Sequence, residues 1–143
     1  MNTRHQCRDA LTAILTPVLV GAGLPVQAIF GYPPAELHGE SPVVAVHSTG
    51  AKHTPITTLD NTARYHLQVT VLVLHTDAAS WTPALAEDAL DDIEALIAAA
   101  LAANQRTATW HRLEPGISTA DLVTISGFPY RREIIPVEIE VLL

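Results

Sequence analysis

Seven histidines, one cysteine and a run of carboxylates are the side chains here that invite a chemical reading. A zinc-type site needs His and Cys spaced to share a helix face or a tight turn. The sequence has no His-x-x-x-His and no Cys-x-x-Cys. His5-x-Cys7 is a lone pair at a charged helix start, and His47 and His53 straddle an expected turn. No metal is expected.

A nucleophilic Cys7 would need a histidine base and an electropositive pocket. His5 is two residues away, which on a helix points it to another face. Gly21-x-Gly23 lacks a third glycine and follows a helix rather than a strand, so no dinucleotide loop is expected. Gly-x-Ser-x-Gly and phosphate-binding loops are absent from the sequence. The acids Glu87, Asp88, Asp91, Asp92 and Glu94 read as the wet face of an amphipathic helix rather than an acid–base pair. The expectation is a protein without catalytic residues, metal or cofactor, and not an enzyme. The most suggestive cluster is Phe128-Pro129-Tyr130-Arg131-Arg132, because aromatics beside arginines are enriched where proteins grip one another. Its bland alternative is a turn entering an edge strand that the arginines protect.

The elements that would carry these residues follow from periodicity. Leu11, Ile14, Leu15, Val18 and Leu19 predict a first helix, with a kink or early end at Pro17 and a stop at Gly21 and Gly23. A short strand is expected over Val26–Phe30, then a Gly31-Tyr32-Pro33-Pro34 turn and a brief helical turn through Leu37. Pro42–His47 reads as a buried strand, and Ser48–Arg64 as a long polar loop. Tyr65–Thr76 is a strong strand, half wet at one end and covered on both faces at the other. A second helix starts at Thr82-Pro83, with Leu85, Ala89, Leu90, Ile93, Leu96, Ile97, Ala100 and Leu101 on its apolar arc. From Ala95 to Ala103 its outer face is alanine, including Ala95, Ala98, Ala99 and Ala102, so a cover is expected from the domain or a neighbour. Strands over Thr107–Leu113, Asp121–Ser126 and Arg132–Leu143 complete an α+β domain. It should hold an antiparallel or mixed sheet of four to six strands with two main helices packed on it. Trp81 and Trp110 are expected in or beside the core.

Composition narrows the class. The chain has 143 residues, 48% of them hydrophobic and 16% charged, which suits one well-filled domain over residues 1–143. The formal charge of −7 argues against a protein that reads sequence or grips phosphates with clustered Lys and Arg. A single cysteine implies no oxidising compartment. Apolar runs near nine residues are too short to span a bilayer, so no membrane is expected.

The layout resembles the tail terminator (tail-completion, minor tail) and neck proteins of long-tailed bacteriophages. A leading amphipathic helix and a Tyr-Pro-Pro turn come before Pro-Val-Val-Ala-Val. A valine-rich strand, a capped helix and a closing Arg-Arg-Glu-Ile-Ile-Pro-Val-Glu-Ile-Glu-Val strand follow. The resemblance covers most of the chain in element order and lacks a diagnostic motif. It implies a structural subunit of the virion tail, assembled in the host cytoplasm as a homo-hexameric ring. That ring would cap the head-proximal end of the tail tube and offer a surface to the head–tail connector protein. Its partners would be itself, the tail-tube protein and the connector, with DNA passing through the lumen without sequence-specific binding. Candidate contact residues are Ala95, Ala98, Ala99 and Ala102, then Phe128, Tyr130, Arg131 and Arg132, with Lys52 and His53 from the polar segment. Two rivals share the sequence. One is a small ligand-binding or enzymatic domain in which His66, His75 and His111 converge on a pocket; the other is a bacterial tube or secretion adaptor.

Overall fold

A computed structural model describes residues 3–56, 61–76 and 81–143. The first helix, α1 (Arg4–Leu19), starts about two turns before the Leu11 that opens its apolar stripe. Thr3 caps it reciprocally: its hydroxyl accepts from the Gln6 N–H, and the Gln6 carboxamide accepts from the Thr3 N–H at 2.7 Å. Cys7, Leu11, Leu15 and Leu19 form the buried stripe. Pro17 does not end the helix, which runs on to Leu19 and closes at an extended Val20. Proline in the last turn forgoes one hydrogen bond, and the Val20 N–H still reaches the Thr16 carbonyl at 2.9 Å.

Strand β1 is short (Ala28–Phe30), and residues 31–40 form bends with no helical turn at Leu37, contrary to expectation. Leu37 is nonetheless buried. Strand β2 spans Val43–Pro55 and β3 spans Asn61–Leu74, so the expected polar loop is instead two arms of one β-hairpin. His47 and His53 lie on β2 rather than across a turn. Residues 57–60, part of that expected loop, lie outside the described residues. Helix α2 (Pro83–Ala103) begins as read, with the Thr82 hydroxyl accepting from the Leu85 N–H. Strand β4 is only Arg112–Pro115, β5 is Thr119–Ile125, and β6 is Phe128–Leu142. The Thr107–His111 part of the expected strand is a turn, in which the Thr107 hydroxyl accepts from the N–H groups of Thr109 and Trp110.

The result is the α+β fold expected: a mixed six-stranded sheet with two helices packed on it. Its order is β1-β2-β3-β6-β4, with β5 also on β6, and β1 joins β2 in parallel while the other pairings are antiparallel. Both β4 and β5 lie along one side of β6. Between them Gly116 donates to the Pro136 carbonyl at 2.7 Å, and a Cβ there would stand 2.9 Å from the proline ring. Only glycine lets the chain hug Pro136 that closely. The β5–β6 turn is Ser126-Gly127, both at positive φ, which is the geometry that matches hairpin twist.

Both helices sit on one face of the sheet. There α1 lies on β2 and β1, and α2 on β3, β6 and β4. Alternate residues of β3 (Leu67, Val69, Val71, Val73) meet alternate residues of β6 (Ile135, Val137, Ile139) beneath them. The opposite face divides in two. Near the β5–β6 turn, Leu37, Val43, Leu72 and Tyr130 make a second small core. Farther along β3, Gln68 is half-buried and His66 and Arg64 are exposed. The reading of β3 as doubly covered at one end and half wet at the other holds.

Candidate functional site

The candidate contact residues do not form one patch. In the alanine half of α2, Ile97, Ala100 and Leu101 are buried, while Ala95, Ala98, Ala99 and Ala102 are exposed. Nothing else in the chain covers them among the described residues. They divide between two sides of the helix. Ala95 lines an open depression with Leu24 and Pro25, beside α1. Ala98 and Ala102 line a groove of about 210 Å³ against Gly116, Ser118 and Ile135, on the β4–β5 side. Ile117, at the rim formed by the 116–118 connection, is 89% exposed.

The aromatic–arginine cluster belongs to the start of β6, not to a turn. Tyr130 is fully buried, with its hydroxyl donating to the Glu40 carbonyl at 3.1 Å, so it is corrected from a contact residue to a core residue. The alternation of a strand explains this: Tyr130 points into the small second core and Arg131 to the helix face. Arg131 donates to Glu87 of α2 at 2.9 Å, and Arg132, on the other face, holds Asp121 of β5 through two bonds of 2.9 and 2.6 Å. These guanidiniums hold the Glu87 and Asp121 carboxyls below the usual carboxylate range. Nor do the arginines protect an edge, because β6 lies between β3 and β4–β5. Phe128 remains 38% exposed.

Lys52 and His53 sit side by side on the distal part of β2, where residues 51–56 are all exposed. Across the ladder Lys52 faces Arg64, while the His53 ring stands 6.0 Å from Tyr65, edge to face. Lys52 makes no ion pair among the described residues.

The histidines do not converge. His66 lies 3.9 Å from Glu138, and His111 contacts Glu140 at 2.7 Å, on neighbouring positions of the wet face. His111 and Arg64 together hold the Glu140 carboxyl below its usual range. His75 is nine residues along from His66, about 30 Å on an extended strand, near Glu87. Among the described residues no group of three or more His, Cys, Asp or Glu is placed to hold a metal. Cys7 is buried under α1, and burial pushes its thiol up to about 11, while His5 on the other side of the helix pairs with Asp9 at 2.8 Å.

One feature escaped the sequence reading. A cavity of about 230 Å³ lies between the Pro33-Pro34 bend and the sheet, with His47, Thr70, Leu72 and Arg132 in its walls. The His47 Nδ1 is buried without a hydrogen-bond partner, and burial holds its ring below the ordinary histidine value. Only the strand pairing could have revealed this, since it sets His47 beside Gln68.

The geometry defines an α+β domain whose open features include two strand edges, an alanine-lined helix and the cavity beside His47. No family model and no curated protein matches the chain. No helix among the described residues is long and apolar enough to cross a membrane.

Proposed function

We propose that this chain is a ring-forming structural subunit of a long-tailed phage or prophage, capping the head-proximal end of the tail tube. The observation that carries the reading is a sheet open on both sides. Among the described residues, β2 has no partner on its outer side beyond Ala45, and β5 has none on the side away from β6. Strand β5 has neither Lys nor Pro to protect it. Two different open edges on opposite sides of one subunit suit a head-to-tail contact, and a head-to-tail contact that closes makes a ring. The resemblance in element order supplies the rest: the tail tube below, the connector above, and DNA passing an acidic wall that does not hold it.

The test uses the purified chain with tubes polymerised from the tail-tube protein encoded beside it. Light scattering should find an oligomer, and negative-stain images should show a cap at one tube end, with elongation stopped. A chain that stays monomeric and also leaves the tubes bare and growing would end this reading.

A further inference from the structure

From the lining of the cavity beside His47 we infer a binding site for a small uncharged amide with a short apolar body. The site is independent of the ring reading and shares no residue with the alanine-lined groove.

The hollow follows from the strand register. Ala45 of β2 stands opposite Thr70 of β3 on the face away from the helices, and both side chains are short. To one side of this pair lie Val43 and Leu72, which belong to the small second core. To the other lie His47 and Gln68, again directly opposite each other. The Pro33-Pro34 bend and Leu37 close over the gap without filling it. The space left, about 230 Å³, is below the range of about 300–1,000 Å³ common for drug-sized ligands, so its occupant is small.

The polar groups set the class of ligand. The His47 Nδ1 is buried with no hydrogen-bond partner, a costly state for a polar atom. Thr70 accepts from the Gln68 carboxamide at 3.3 Å, which leaves the Thr70 hydroxyl hydrogen to donate and the Gln68 oxygen to accept. Free charge is scarce. Arg132 is the one ionised group in the lining among the described residues, and its Nε and one Nη are already bound to Asp121. Burial keeps the His47 ring below the ordinary histidine value, which favours the neutral imidazole. A carboxylate or an ammonium would lose its water there without gaining a free counter-charge. An amide brings one donor and one acceptor to groups that offer both. Pro33, Pro34, Leu37 and Leu72 supply the apolar wall for its body.

The experiment adds isobutyramide, isobutyrate or isobutylammonium, probes of similar shape and different charge, to the whole chain at neutral pH. The His47 ring signals are followed by NMR, with circular dichroism to show that each variant is folded. Isobutyramide should shift them saturably, with a dissociation constant on the order of 1–10 mM for so small a ligand. The two charged probes should bind at least about tenfold more weakly. Thr70→Val, which removes the hydroxyl at nearly constant size, should weaken the amide about tenfold. Ala45→Leu, which fills the hollow, should abolish the shift. No saturable shift in the wild type leaves the cavity to water and overturns the site. Equal shifts from all three probes, or amide binding unchanged in Thr70→Val or in folded Ala45→Leu, overturn it as well. The tube-capping test is untouched by each of these results.

Discussion

Replacing Tyr130 and Phe128 one at a time separates core from surface within a single dipeptide-spaced pair. Both read as contact residues in the sequence, yet the fold buries one completely and leaves the other 38% exposed. The Tyr130 ring fills the small core with Leu37, Val43 and Leu72. Truncating a buried aromatic to alanine costs about 3–5 kcal/mol, and losing the hydroxyl bond to the Glu40 carbonyl adds about 1 kcal/mol. For a chain of 143 residues the unfolding entropy makes about 1 kcal/mol worth ~3 °C. Tyr130→Ala should therefore melt roughly 12–18 °C lower, and Tyr130→Phe about 3 °C lower. Phe128→Ala removes a ring that still touches water and should cost about 1 kcal/mol or less. Urea unfolding followed by tryptophan fluorescence and by circular dichroism measures all three, with unchanged slopes required for a clean comparison. The reasoning fails if Tyr130→Ala loses less than about 1 kcal/mol, or if Phe128→Ala is the more damaging of the two.

Glu133 sits buried on the helix face of β6, where burial first, then the nearby Glu94 and Asp91, raise its carboxyl above the usual range against the opposing Ser118 and Arg131. A raised carboxyl stabilises the fold below its unfolded value and loses that contribution as pH rises through the folded one. Glu133→Gln should therefore melt higher than wild type at pH 7 and level with it near pH 4; scanning calorimetry at the two pH values decides. Cys7, with its thiol at about 11, should resist a disulfide reagent at pH 8 in the native protein and react fully in denaturant. Gly127 holds φ +83 in the β5–β6 turn, so Gly127→Ala should cost about 1–2 kcal/mol in chemical unfolding, and a neutral result would contradict that backbone.

Helix α2 was legible because two independent signals agree there: Thr82-Pro83 starts it, and the 3.6-residue apolar period runs to Leu101. Even so, Leu85, counted on its apolar arc, is 51% exposed, since the buried stripe runs through Ala86, Leu90, Ile93 and Ile97 and Leu85 lies to its side. The distal half of β2 was not legible. Ser-Thr-Gly-Ala-Lys-His-Thr has no apolar alternation, and the segment is a strand because β3 offers a ladder, not because its side chains seek a core. Tyr130 was misplaced for a related reason. The turn lies at Ser126-Gly127, and only that start point fixes which of Tyr130 and Arg131 faces inward. The exposed Ala98 and Ala102 were recognisable as a surface in want of a cover. Their division from Ala95 onto a different side of the helix needed the position of β4 and β5.

The placement of the ion pairs bears on how copies would meet. Arg64, Arg112, Arg131 and Arg132 all stand on β3, β4 or β6, and each has a carboxylate within 2.9 Å. Pairs this exposed contribute about 0–1 kcal/mol apiece, so stability alone is a weak reason for four of them. Their stronger effect is on the field. By neutralising the middle of the sheet locally, they leave Arg4, Arg8 and Lys52 and four acids of α2 as unpaired charges among the described residues. A chain with a net charge of −7 repels its own copies at long range. Association of copies through the open edges of β2 and β5 would have to outweigh that repulsion with strand pairing and apolar contact, and would strengthen as salt screens it.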